Sequence, residues 1–193
     1  MREKVLVVPR DILFKQKNFQ GFLTIGEFNF LPIIRSNAFF KERRLVENDP
    51  SLKQIIPYQV LMIRNKIFLY QRINSKSEKR YLGKFSLGIG GHINPKDGKE
   101  LLDDARKREF LEEINYKGRI TSRLIGFVND DSNPLGSVHF GVVYLLNGSS
   151  EKIKIKENKN MQGKLVPFKE AKKYLEKMES WSAIVYRHLS EGQ

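Results

Sequence analysis

The chain has 193 residues, of which 40% are hydrophobic, enough for one globular domain with its own core and short for two. It has no cysteine, which excludes a disulfide framework, a thiolate metal site and a cysteine nucleophile. The net charge of +13 favours anionic ligands such as nucleotides, RNA, DNA or an anionic membrane surface, although a lysine-rich surface can also serve solubility alone. No apolar run approaches the ~20 residues that span a bilayer. We expect a soluble cytoplasmic protein with no membrane segment.

Short β-rich runs dominate the first ninety residues. Two of them are separated only by Arg64-Asn65-Lys66, which predicts a β-hairpin. The predicted strands are Val5–Val8, Gly21–Ile25, Leu31–Ile34, Tyr58–Ile63, Ile67–Gln71 and Phe85–Ile89.

From Lys99 the apolar spacing becomes helical, with no Gly or Pro before Gly118. Two more strands are predicted at Arg123–Val128 and His139–Leu146, and a closing helix from Phe168 to Leu189, bent near Ser180. Strands, one helix, more strands and a terminal helix indicate an α/β fold with a mixed sheet and helices packed on it.

The predicted helix after Lys99 carries three carboxylates on one face. At about 100° per residue, Glu109, Glu112 and Glu113 fall within roughly 100° of each other. Like charges at this spacing destabilise a helix, and a divalent cation would reverse that cost. Mg²⁺ prefers such hard oxygen ligands, and Arg108 can hold a carboxylate in place. A solvated acidic helix face is the alternative interpretation. Because Glu100 and the Gly90-Gly91 pair accompany the three glutamates, the whole pattern is improbable by chance.

These residues resemble a known sequence motif. Glu100, seven residues, then Arg108-Glu109-Phe110-Leu111-Glu112-Glu113 is similar to the Nudix box. The resemblance implies an α/β/α sandwich with a central mixed β-sheet, and hydrolysis of a nucleoside diphosphate linked to another group. It also implies Mg²⁺ as cofactor, with Mn²⁺ as a substitute.

The same resemblance assigns roles to individual residues. Glu109, Glu112 and Glu113 would be metal ligands, and the carbonyl of Gly91 would add another. Arg108 would orient the glutamates and Glu100 would support the loop. The predicted catalytic residues are Glu112, Glu109, Arg108 and Glu100.

Two departures from the box leave every carboxylate in place. Eight residues separate Gly91 from Glu100 where the box has five, an insertion in a turn that costs little because loop-closure entropy grows slowly. Asn115 replaces the glycine that ends the helix, and Asn tolerates the left-handed conformation best after Gly.

Further segments resemble a Nudix subgroup described only as predicted phosphoesterases, which implies no substrate. They are Ser86–Asn94, Asn129–Pro134 and His139.

Either His92 or His139 can contact a phosphate or assist proton transfer near neutral pH, and either can be an ordinary histidine. Arg72, with Lys84 or Arg64, is a candidate to neutralise developing charge. Asp130 and Asp131 are more typical of a turn.

Two other functions remain open. Isopentenyl-diphosphate isomerase shares the implied fold but depends on a cysteine, which this chain lacks. A non-catalytic module that binds a nucleotide or RNA through the basic surface is the alternative to an enzyme with a nucleotide-like or other diphosphate substrate.

We expect a single domain over residues 1–193, with residues 1–56 as an N-terminal extension. That extension would shape the substrate pocket or a dimer contact, so a homodimer also remains open.

Overall fold

The computed structural model describes residues 2–73, 82–156 and 161–192, and its fold is mixed α/β with a central mixed sheet, as predicted. The strands are β1 Lys4–Pro9, β2 Gly21–Thr24, β3 Phe39–Glu42, β4 Leu52–Ile63, β5 Lys66–Arg72, β6 Phe85–Ser86, β7 Gly88–Gly90, β8 Ile114–Tyr116, β9 Ile120–Asn129, β10 His139–Gly148, β11 Ile153–Ile155 and β12 Met161–Pro167. The helices are α1 Arg10–Leu13, α2 Leu31–Asn37, α3 Leu101–Glu113, α4 Pro134–Ser137 and α5 Ser180–Glu191. Arg43–Leu45 and Phe168–Lys177 are 3₁₀-helical.

The chain divides into two compact units, and several elements, α3 among them, contribute residues to both. The first unit comprises Met1–Tyr58, Gly90–Lys107 and Leu124–Val143. The second comprises Gln59–Ile89, Arg108–Arg123 and Tyr144–Gln193. The expectation of one domain over residues 1–193, with residues 1–56 as an extension, stays a prediction.

In the first unit, antiparallel strands surround an aromatic core. β1 pairs with β3 and β4, and β2 pairs with β9, so that Leu23 lies opposite Phe127. Phe30 is fully buried, and its ring centre lies 5.2 Å from those of both Phe127 and Phe140. Phe14, Phe19 and Phe28 surround the same ring. Aromatic residues from the first thirty positions therefore share one core with β9 and β10.

In the second unit, β5 lies between β12 and the end of β4. The hairpin of β4 and β5 pairs Met62 with Ile67 and turns at Arg64, whose φ of 56° is left-handed. β6 also pairs with β5, which places Gln71 opposite Phe85. α5 packs through Ser182, whose Oγ accepts a hydrogen bond of 3.0 Å from the backbone N–H of Leu87. The predicted hairpin is therefore confirmed.

One local prediction was wrong, and two others hold only in part. Leu31–Ile34 begins helix α2 rather than a strand, because Pro32 suits the first turn of a helix and lacks the N–H that a strand would use. The predicted terminal helix is a 3₁₀ segment followed by α5, with a break at Met178-Glu179. Asn115 is not left-handed: it lies in β8, opposite Lys154 of β11.

None of the helices in the described part of the chain combines the length and apolarity needed to cross a bilayer.

We predict that Phe30→Ala lowers the free energy of unfolding by about 3–5 kcal/mol, because it empties the centre of the aromatic core. Phe30→Leu keeps much of the apolar volume and should lose less. The exposed Phe39 is the matched control, since Phe39→Ala should change stability by no more than about 0.5 kcal/mol. Urea denaturation measures all three, and equal losses for Phe30→Ala and Phe39→Ala would contradict the proposed core.

Candidate active site

The C-terminal half of α3 is anchored in the core of the second unit. Phe110 and Ile114 are buried there with Phe68 of β5 and Ile89 of β7. The Phe110 ring also makes an edge-to-face contact with Tyr116 at a centroid distance of 6.4 Å. Because residues of a helix point in directions set by its 3.6-residue period, this packing directs Glu109 and Glu112 away from the core.

A single arginine contacts two of the three motif carboxylates. Nη1 of Arg108 lies 2.6 Å from Oε1 of Glu109 and 3.3 Å from Oε2 of Glu112. Only 14% of the Glu109 side chain is exposed, against 54% for Glu112. Arg108 therefore contacts both carboxylates, its predicted orienting role stays a prediction, and Glu112 is the more exposed of the two carboxylates.

Glu113 ends α3 beside the short sheet of β8 and β11. Its carbonyl accepts a hydrogen bond of 2.8 Å from the backbone N–H of Lys156. Burial raises the pKa of Tyr70 well above its usual value, and the negative charges of Glu113 and Glu179 raise it further. Tyr70 therefore stays protonated, and its hydroxyl donates to the carbonyl of Gly88 at 2.7 Å.

Within residues 2–73, 82–156 and 161–192, no three His, Asp or Glu side chains converge in a metal-binding geometry. The donor set nevertheless fits a hard divalent cation, because carboxylates are its preferred ligands. Two carboxylates that share one hydrogen-bond donor, Nη1 of Arg108, can also turn toward one cation.

The remaining box residues belong to the first unit. Gly90 ends β7 where a side chain would not fit, since a Cβ would lie 2.1 Å from the carbonyl oxygen of Pro57. Gly91 follows it. The three-residue insertion forms a turn in which the N–H of Asn94 donates to Asp97 Oδ2 at 2.7 Å. Glu100 precedes α3, and its N–H donates to the carboxylate of Asp104 at 3.2 Å. The metal role of Gly91 and the catalytic role of Glu100 stay predictions.

His92 and His139 lie together in the first unit, largely buried. Nδ1 of His139 donates to the carbonyl of Leu135 at 2.7 Å, so in the neutral ring its Nε2 accepts. Nε2 of His92 then donates, 3.3 Å from Nε2 of His139 and 2.9 Å from Oε1 of Gln54. Burial lowers the pKa of His92 from 6.5 to about 3, with smaller effects from Arg43 and His139. Their predicted contact with substrate stays a prediction.

A buried lysine network borders this pair. Lys53 is fully buried, and its Nζ donates to Asp131 Oδ1 at 2.7 Å and to the carbonyls of Gly136 and His139. Burial lowers the pKa of Lys53 to about 8, and Asp131 opposes that shift. Burial raises the pKa of Asp131, but hydrogen bonds from Arg10 and Lys53 outweigh it and leave that pKa well below its usual range.

The sequence analysis did not predict this network, and it interpreted Asp131 only as a turn residue. The turn prediction holds for Asp130, which accepts hydrogen bonds from Ser132 and Asn133. The sequence did contain a signal for Lys53, because a lysine stands near the start of the largely apolar strand β4, in which all twelve residues are buried.

Arg72 lies in the second unit at the end of β5. Its Nη1 contacts Sδ of Met161 at 3.7 Å, and its guanidinium lies 6.0 Å from the centre of the Tyr70 ring. Its predicted contact with substrate also stays a prediction.

The chain was compared with known proteins. No protein-family model matches it. Protein YmaB of Bacillus subtilis (strain 168) is 34% identical over 198 residues, which cover 96% of each chain. Tm1382, a protein assigned to the Nudix hydrolases, is similar in structure over 99% of this chain and 100% of its own, with a TM-score of 0.85 and 30% identity. The NUDIX domain of Shewanella oneidensis NrtR, solved with ADP-ribose, is similar over 72% of this chain and 88% of its own, with a TM-score of 0.58 and 17% identity.

The similarity to Tm1382 extends over 99% of this chain and 100% of the other. Four residues of the Nudix box lie on α3: Arg108, Glu109, Glu112 and Glu113. The chain therefore belongs to the Nudix superfamily.

We predict that the protein loses stability as the pH falls from 6.5 to 5. The folded-state pKa of His92, about 3, lies below the unfolded value of 6.5, so only the unfolded state takes up a proton in this range. The loss should be about 1.6 kcal/mol over these 1.5 pH units and should continue toward pH 3. Denaturant unfolding at several pH values measures it.

His92→Gln should remove most of this pH dependence, whereas His188→Gln, in α5, should retain it. An unfolding free energy with the same pH slope in wild type and His92→Gln would show that His92 is not buried in its neutral form.

Proposed function

We propose that this protein is a divalent-metal-dependent hydrolase that cleaves a phosphoanhydride bond in a nucleoside diphosphate-linked substrate. The observation that carries this proposal is the arrangement on α3, where Arg108 contacts both Glu109 and Glu112, and Glu113 follows directly. Similarity to Tm1382 over the full chain supports a hydrolase. The ADP-ribose bound by the NrtR domain supports a nucleotide-like substrate.

Glu109, Glu112 and Glu113 are the proposed metal ligands, with Mg²⁺ the expected ion and Mn²⁺ its substitute. Three carboxylates within little more than one turn of α3 supply hard oxygen donors, and the exposure of Glu112 leaves room for water and phosphate oxygens. When bound, the cation would neutralise phosphate charge and lower the pKa of a coordinated water.

Each motif side chain has its own proposed part. Glu112, the most exposed of the three carboxylates, is the one expected to face the substrate. Glu109 forms an ion pair with Arg108. Arg108 limits the side-chain entropy that both carboxylates would lose on binding a ligand. Phe110 fixes the direction in which all of them point, because it is buried in the core.

The test is phosphate and nucleotide release from a panel of nucleoside diphosphate derivatives that includes ADP-ribose, with and without Mg²⁺. Wild type should turn over at least one substrate only when Mg²⁺ is present. Glu112→Gln keeps the shape of the side chain and removes its charge, so kcat should fall at least about a hundredfold.

Glu176→Gln is the matched control, since Glu176 is an exposed glutamate of the 3₁₀ segment, and it should retain full activity. Turnover that does not depend on Mg²⁺, or that survives Glu112→Gln, would contradict the proposal. No turnover at all, with a nucleotide or RNA bound equally well by wild type and Glu112→Gln, would instead identify a non-catalytic binding module.

A further inference from the structure

Helix α3 ends without the features that commonly terminate a helix. The last four carbonyl groups of an α-helix have no partner within the helix, and a left-handed glycine beyond its end often helps to satisfy them. At the place of the motif glycine this chain has Asn115, which lies in β8 and is not left-handed. The last turn of α3 also carries no basic residue. Donors for these carbonyls therefore come from outside the helix.

Lys156, the residue after β11, supplies two such donors. Its backbone N–H donates to the carbonyl of Glu113 at 2.8 Å, and its side-chain Nζ donates to the carbonyl of Leu111. Both carbonyls belong to the last turn of α3. One residue from outside the helix thus holds the helix end at two points, which lie on either side of Glu112 in the chain.

The strand that precedes Lys156 is anchored in the core of the second unit. β11 pairs with β8 so that Ile155 lies opposite Ile114, and both side chains are buried in the same cluster. Side chains alternate along a strand, and the two neighbours of Ile155, Lys154 and Lys156, are accordingly exposed. The core therefore fixes the backbone directly before the residue that contacts the helix end.

The charge of Lys156 also suits this position. The C-terminus of a helix carries a partial negative charge, and acidic side chains in the last turn are unfavourable there. Glu112 and Glu113 stand in that turn, so this end of α3 is prone to fray. An ammonium group that donates to a last-turn carbonyl opposes fraying, because it binds an otherwise unpaired acceptor and neutralises part of the negative charge.

We propose that Lys156 is a positioning residue for the motif carboxylates and does the work of the glycine that this chain lacks. It keeps the last turn of α3 helical, so that Glu112 and Glu113 hold a fixed relation to Glu109 before any cation binds. Ligands held in this way lose less conformational entropy on binding. The inference rests on the proposed metal role of these glutamates, and it adds to that site a residue outside the motif.

Lys156→Met tests the inference, because it removes the ammonium group and keeps the side-chain stem and the backbone hydrogen bond. Mn²⁺ binding to the full-length protein, followed by electron paramagnetic resonance, should weaken at least about threefold, and Lys156→Arg should restore it. A purely electrostatic role predicts the opposite sign, since loss of a nearby positive charge favours cation binding. Lys154→Met is the matched control: it removes the same charge from the same strand and should bind Mn²⁺ at least as tightly as wild type.

Amide hydrogen exchange in EDTA reports on the last turn of α3 without any metal ion. The amides of residues 111–113 should exchange at least about threefold faster in Lys156→Met than in wild type, because the helix end opens more often. Lys154→Met should exchange at the wild-type rate, and Lys156→Arg close to it. The free energy of global unfolding should stay near the wild-type value in all three variants, since both lysines are exposed.

The two measurements distinguish failure of this inference from failure of the proposed function. If wild type binds no Mn²⁺, the proposed metal site fails, and exchange in EDTA still decides whether Lys156 holds the last turn. The inference is overturned if residues 111–113 exchange at the same rate in Lys156→Met and wild type. In a wild type that binds Mn²⁺, it is equally overturned if Lys156→Met retains full affinity, if Lys154→Met loses as much, or if Lys156→Arg restores nothing.

Discussion

The burial of Phe110 and Ile114 in the core of the second unit determines what α3 can present to solvent. Both side chains pack against strand residues such as Phe68 and Ile89. A helix held on one side presents another side to its surroundings, and here Glu112 is the exposed motif carboxylate while Glu109 is largely covered.

Electrostatics follow from that orientation. Three glutamates within five residues repel one another, and Arg108 relieves part of that repulsion by contacting two of them. The chain as a whole carries +13, so an acidic turn stands out against a basic background. A net positive charge of this size attracts anions from a distance, whereas the proposed cation site is confined to the acidic turn of α3.

Local patterns explain which features could be predicted. The α3 helix and the β4–β5 hairpin follow from apolar spacing and turn residues, and both are present. The Lys53–Asp131 contact joins residues 78 positions apart, and the pairing of Gln71 with Gln162 on one side and Phe85 on the other depends on strand register. Neither is encoded by a short window of sequence. For Asn115 the local preference was misleading, because strand pairing with Lys154 overrides the tolerance of Asn for a left-handed turn.

Direct titration with Mn²⁺, followed by electron paramagnetic resonance, tests the central claim that the α3 carboxylates hold a divalent cation. The account predicts that wild type binds Mn²⁺ competitively with Mg²⁺. Glu109→Gln and Glu112→Gln should each weaken Mn²⁺ binding at least about tenfold, and Glu176→Gln should not. Absence of Mn²⁺ binding, or equal affinity in wild type and Glu112→Gln, would contradict a metal site on α3.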